Sequence, residues 1–195
     1  MHRYFFIVSI ILIFITGCTL SSHTSREHAQ YIFIQKNNEK VFLKSTDPQI
    51  KEIFEFIEEY LHSKYSINYN LDEVDTGKIY SYYSTELLNN PIFTNYYKST
   101  FNLSKLIELK TKYMGYLNFD KIIIYEDSNC AEVEFVFKVE YLDYKKGTTF
   151  GFVGEGPEVS LKNDVLTQNV VMQLIKEENQ WKISKSILLP HEFNP

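Results

Sequence analysis

Cys130-Ala131-Glu132-Val133-Glu134-Phe135-Val136-Phe137-Lys138-Val139-Glu140-Tyr141 is the stretch on which the fold turns. Val133, Phe135, Phe137, Val139 and Tyr141 fall on one side of a two-residue period. Glu132, Glu134, Lys138 and Glu140 fall on the other, and Val136 is the one exception. Side chains alternate across a strand, so this pattern predicts a long strand with one packed and one wet face, as antiparallel sheets have. Ile122-Ile123-Ile124-Tyr125 precede it as a second strand, with Glu126-Asp127-Ser128-Asn129 as the turn. Downstream, residues 147–164 hold four of the seven glycines and read as a loop or irregular hairpin. Val170, Met172 and Leu174 begin a third strand, Glu177-Glu178-Asn179-Gln180 turn the chain, and Trp181, Ile183, Ile187 and Leu189 form the last strand. Cys130 opens the decisive strand and is expected to be a buried or strand-end thiol.

Upstream the period is helical. Asp47-Pro48 supplies an N-cap acceptor followed by Pro at the first helical position. Ile50, Ile53, Phe54, Ile57 and Leu61 then form one apolar stripe, with Lys51, Glu52, Glu55, Glu58 and Glu59 on the wet side, predicting a helix over about 48–64. A short helix is expected over Lys78–Leu88, ended by Asn89-Asn90-Pro91. Another is expected over 92–114, where Leu106, Ile107, Lys110 and Tyr113 keep the helical spacing. Tyr31–Ile34 and Val41–Leu43 flank Lys36-Asn37-Asn38-Glu39, suggesting a hairpin or one strand and a turn. Helices first and long strands afterwards make an α+β chain, with N-terminal helices on a curved antiparallel sheet of about four to six strands.

The composition agrees with one folded domain. Of 195 residues 44% are hydrophobic and 23% charged, which is outside the range of disordered chains. A net charge of -5 argues against general nucleic-acid binding, which needs a basic face. Two cysteines exclude a disulfide scaffold and a four-cysteine zinc site.

The N-terminus reads as an address. Phe5–Ile15 is an apolar run broken only by Ser9. At 1.5 Å per residue it falls short of a ~30 Å hydrocarbon core and has the length of a signal-peptide hydrophobic region. It runs into Ile15-Thr16-Gly17-Cys18, which resembles the bacterial lipobox. That resemblance implies cleavage after Gly17 and acylation of Cys18, with residues 1–17 as signal peptide and the lipid bilayer as a partner. Several acyl chains on one residue anchor stably where a single chain binds marginally. Residues 18–30 are polar and form a tether, whose dozen residues reach about 20 Å root-mean-square. Residues 31–195 are the single domain, with its core over 46–189. The expected location is the cell membrane or outer membrane, outside the cytoplasm.

The order of helices and strands, and the hairpin Val170-Val171-Met172-Gln173-Leu174-Ile175-Lys176-Glu177-Glu178-Asn179-Gln180-Trp181-Lys182-Ile183 with its Trp-Lys-Ile opening the last strand, resemble the cone-shaped nuclear transport factor 2-like (cystatin-like) superfamily. The likeness covers residues 46–189. It implies a pocket between helices and concave sheet and no single activity, since the same cone serves enzymes, adaptors, secretion components and immunity proteins. Segments 31–44 and 147–164 depart from its simplest pattern and leave the strand count open.

Catalytic patterns are sparse. No Gly-x-Ser-x-Gly elbow occurs. His23, His28, His62 and His191 lack partners at metal-ligand spacing, and the glycines of 147–164 do not make a phosphate loop, so neither metal nor cofactor is expected. Asp120, Tyr125 and Tyr141 are candidate pocket residues, while Glu132 lies opposite the apolar face of its strand. Among 15 tyrosines, Tyr82 and Tyr83 are candidates for surface recognition, because adjacent helical residues do not share one face. The expectation is a non-enzymatic, membrane-anchored lipoprotein that binds a protein or small ligand through its cone domain. The alternatives are an immunity or secretion/conjugation accessory protein, and an isomerase- or dehydratase-like enzyme working in the pocket.

Overall fold

The computed structural model describes residues 31–37, 39–68, 75–143 and 165–189. Residues 1–17, expected as a signal peptide, Cys18, the expected tether and the whole Gly-rich segment 147–164 lie outside them.

In chain order the elements are β1 (Tyr31–Lys36), β2 (Glu39–Phe42), α1 (Pro48–Tyr65), β3 (Ile67–Asn68), α2 (Thr76–Ser81), α3 (Thr85–Leu88), α4 (Pro91–Leu106), β4 (Lys110–Tyr125), β5 (Cys130–Asp143), β6 (Val165–Glu177) and β7 (Gln180–Leu188). The strands form one sheet in the order β2-β1-β4-β5-β6-β7, with β3 paired to the start of β4. The chain is α+β. The sheet differs from expectation in two ways: it has seven strands among the described residues, and it is mixed, because β1 runs parallel to β4. The 31–44 hairpin accounts for the parallel pairing, since it adds β1 and β2 beyond the edge that β4 would otherwise form, and β3 is the strand that takes the count to seven.

β5 is the strand its alternation predicts. Ala131, Val133, Phe135, Phe137 and Val139 are buried, and the residues between them are half-buried. Cys130 is half-buried at its start. β4 is far longer than Ile122–Tyr125, and its length bends. Tyr113 pairs with Val139 and Leu117 with Phe137, so three residues of β4 face one of β5. Gly115 sits in this bulge at φ +64°, a left-handed conformation that glycine adopts without steric cost.

The expected helix over 92–114 is shorter. α4 ends at Leu106, and Lys110 and Tyr113 belong to β4. A helical spacing of apolar residues persisted by coincidence across the turn at Ile107–Leu109, while pairing with β5 claimed the residues beyond it. The expected helix over 78–88 divides into α2 and α3. The segment between them bridges to β7, where Ser84 N–H donates to Ile183 O at 2.9 Å and Ile183 N–H donates to Tyr82 O at 2.8 Å. In β7, Trp181 and Ile183 are buried and Ile187 is exposed, because a register shift beside Leu174 changes which side chains face inward.

α1 starts at the Asp47 cap, whose carboxylate accepts from Gln49 N–H at 3.0 Å. It buries Ile50, Ile53, Ile57, Tyr60 and Leu61 against the sheet, and Phe54 stacks on Phe119 with ring centroids 4.2 Å apart. No α4 side chain is fully buried. This helix lies over the sheet without closing down on it, and the space left beneath it is where the site forms.

Candidate functional site

A cavity of about 560 Å³ opens between α1, α4 and the sheet. Its floor is sheet: Phe137 and Tyr141 from β5, Val170 and Met172 from β6, Leu188 from β7. Its walls are Tyr60 and Lys64 of α1, Tyr83, and Phe93, Tyr97 and Phe101 of α4. The chain carries a net negative charge, yet among the described residues the charged side chains lining this cavity are Lys64 and Lys185, with no carboxylate beside them.

Lys64 extends the apolar stripe of α1 by one turn, so the helix aims it inward among aromatic rings. Part of its length is exposed, while its ammonium end is enclosed by tyrosines. The ammonium donates to Tyr60 Oη at 2.8 Å and to Tyr97 Oη at 3.1 Å. It also lies about 5 Å from the ring centres of Tyr60, Tyr65 and Tyr97. Tyr83 completes the cluster, its hydroxyl hydrogen-bonded to Tyr60 at 2.9 Å and to Tyr97. Among the described residues no carboxylate pairs with Lys64.

The electrostatics of this group follow from burial and proximity. Burial pushes the Tyr60 and Tyr83 hydroxyls well above the ordinary tyrosine range, against the opposing pull of Lys64. Burial pushes Tyr97 the same way. The adjacent ammonium, with the hydrogen bonds that join Tyr97 to Tyr83 and Lys64, reverses that and leaves Tyr97 below the ordinary range. Desolvation works against the Lys64 ammonium, and the surrounding tyrosine oxygens overcome it, holding the amine charged.

A second, more open groove of about 760 Å³ lies on the other side of α1, where Phe54, Glu55, Glu58, Glu59, His62 and Lys78 face Leu117–Phe119 of β4. Three of its charged groups, Glu58, Glu59 and Lys78, already have partners within the fold. Lys78 pairs with Glu59 at 3.2 Å, and Tyr113 Oη donates to Glu58 at 2.6 Å. The smaller cavity is the better candidate because its ammonium answers no carboxylate among the described residues. Among the described residues no three His, Cys, Asp or Glu side chains converge as metal ligands.

No protein-family model matches the chain, and no curated protein does. Among solved structures it is similar to the intermembrane space region of the chloroplast protein ARC6, at 15% identity and TM-score 0.49, over 75% of this chain and 98% of that one. It is also similar to the TraH protein of the Gram-positive conjugative plasmid pIP501, at 12% identity and TM-score 0.45, over 77% of this chain and 100% of that one.

The residues singled out from sequence are scattered by the fold. Tyr141 lines the cavity, and burial raises its hydroxyl pKa. Asp120 and Tyr125 line neither hollow. Asp120 accepts from Asn118 Nδ2 at 3.2 Å, and Tyr125 ends β4 opposite Cys130. Glu132 faces away from the core and pairs with Lys121 at 2.5 Å. The expectation that Tyr82 or Tyr83 reaches the surface is corrected, since they are only 7% and 2% exposed. The helical argument does not apply to them, because α2 ends at Ser81 and the chain leaves it for the bridge to β7. The two rings diverge, and each finds its own cover: Tyr82 packs on Phe56 and Tyr60, Tyr83 on Tyr60, Phe93 and Tyr97. Tyr83 is thereby a cavity residue rather than a surface one. Lys64 and Tyr97 carry the site without having been marked in the sequence as site residues. For Lys64 the signal was available, as a cation 14 residues after Ile50 on the apolar stripe.

Proposed function

We propose that the chain is a non-enzymatic, membrane-anchored lipoprotein of the cell envelope whose domain, a nuclear transport factor 2-like cone, binds a small ligand in the cavity beneath α4. The observation that carries the reading is the cavity itself. Its volume lies within the ~300–1,000 Å³ of small-molecule sites, and like them it is mainly apolar with a few converging polar groups. The cone assignment is supported by helices preceding a bent sheet and by the Trp181-Lys182-Ile183 opening of β7. The anchor is supported by the apolar run and Ile15-Thr16-Gly17-Cys18. Among the described residues no helix is long and apolar enough to cross a membrane.

The anchor and the cavity are tested separately. With Cys18→Ala, metabolic labelling with palmitate is expected to vanish and the unprocessed precursor to accumulate; labelling that persists in this variant contradicts the anchor. For the cavity, Phe101→Trp is expected to place an indole whose fluorescence responds when a small ligand enters. A library of envelope-extract small molecules that leaves that signal unchanged contradicts ligand binding.

A further inference from the structure

The Lys64–Tyr60–Tyr83–Tyr97 cluster has more donors than acceptor sites it uses. Three phenols bring three O–H donors and the ammonium brings three N–H donors. Four hydrogen bonds join these groups: two between phenols and two from the ammonium. Two donors, one O–H and one N–H, therefore remain for something outside the cluster. They sit on the wall of a cavity whose charged lining is Lys64 and Lys185. Around them the lining is aromatic and aliphatic, with Phe93, Phe101, Phe137, Val170 and Leu188. The spare phenol O–H and the spare N–H of an ammonium that no carboxylate among the described residues compensates complement the two oxygens of a carboxylate, and charge-assisted bonds of this kind are among the strong ones.

We infer that the ligand is a small amphipathic carboxylate, an aryl- or alkyl-carboxylic acid bound as its anion. Its head meets Lys64 and Tyr97, and its apolar body lies along α4 and the sheet. This rests on the cavity being a ligand site, as proposed above, and adds the charge and polarity of what enters it. The chain as a whole is acidic, so general attraction between protein and anion does not account for the preference; the local pair of lysines does.

The test uses the full chain in lipid nanodiscs, with empty discs as the blank, titrated with phenylbutyrate and with phenylbutanol, its uncharged counterpart. Phenylbutyrate is expected to bind more tightly, and Lys64→Met to weaken it about tenfold to a hundredfold while leaving phenylbutanol unchanged. Tyr97→Phe keeps the ring and removes one head contact, and about a tenfold loss for the acid alone is expected from it. It also gives the answer should Lys64→Met not fold. Equal binding of acid and alcohol, indifferent to both substitutions, overturns the carboxylate inference and leaves a ligand cavity standing. Binding of neither compound overturns the carboxylate inference. If Phe101→Trp is then also silent to every small molecule tried, the cavity reading falls with it.

Discussion

Tyr83→Phe isolates the hydroxyl at the centre of the cavity wall. The ring of Tyr83 packs edge-on against Tyr60, Phe93 and Tyr97, with centroids 4.9–5.9 Å apart, and phenylalanine preserves those contacts. What is lost is an oxygen that bonds Tyr60 at 2.9 Å and also bonds Tyr97. Before the change, one of three phenol protons lacks a partner within the cluster. After it, two phenols remain, neither has a phenolic acceptor, and both protons lack partners. Tyr60 is only 1% exposed, so water does not readily compensate it. Two lost hydrogen bonds and one more orphaned donor predict a destabilisation of about 1–3 kcal/mol. That is a substantial part of the ~5–15 kcal/mol holding a typical domain together. Urea unfolding followed by circular dichroism reads it as a lower midpoint, by about 1 M, at unchanged slope. Tyr96→Phe is the control: Tyr96 is 67% exposed, and its midpoint is expected to stay put. If Tyr83→Phe is as stable as the parent, the hydroxyl cluster is not a buried network and the donor count built on it fails.

The same phenols give an alkaline limit. The folded-state pKa values of Tyr60, Tyr83 and Tyr113 are raised by burial, in Tyr113 with the added hydrogen bond to Glu58. Their contribution is therefore whole below the ordinary tyrosine value of 10.0 and is lost as pH climbs above it, when the unfolded chain ionises first. Tyr97, shifted the other way, offsets only part of this. Melting temperature is expected to fall steeply above pH 10, with tyrosinate absorbance rising together with unfolding; tyrosinate appearing in the folded protein well before melting refutes it. Gly115→Ala places a side chain at φ +64° where no atom lies within 4 Å of the added carbon. Its cost is conformational, about 1–2 kcal/mol by urea unfolding, and an unchanged midpoint would mean that the bulge relaxes. Asp47→Ala removes the α1 cap that accepts from Gln49 and is expected to cost about 1 kcal/mol; restoration by Asp47→Ser identifies the cap as the cause.

The strand that decides the fold and the helix packed on it were legible because each carries one face to the core over many residues. β5 alternates for nine residues from Ala131 to Val139, and α1 keeps one stripe from Ile50 to Leu61. What escaped was non-local. The parallel pairing of β1 with β4 joins residues about 90 positions apart and leaves no local mark. The boundary at Leu106 was hidden because Tyr113, which faces the core from a strand, happens to fall on a helical multiple of Leu106. Tyr82 and Tyr83 were misplaced by applying a helical rule two residues past the end of a helix. The site was half visible. Asp120, Tyr125 and Tyr141 were named together as acid or phenol groups that could reach a pocket, and only Tyr141, on the inward side of β5, lines it. Lys64 stood in plain view on an apolar stripe, but its meaning depends on Tyr83 and Tyr97, which tertiary packing brings to it.

The central claim, a carboxylate-binding cavity beneath α4, is tested most directly by photo-crosslinking the full chain in nanodiscs with a diazirine-bearing phenylbutyrate, then mapping the labelled peptides. The account predicts label on the Phe93–Phe101 stretch of α4 and around Phe137 of β5, lost when unmodified phenylbutyrate competes and reduced by Lys64→Met. Label confined to the groove at Phe54 and Phe119, or scattered labelling that phenylbutyrate does not displace, would contradict it.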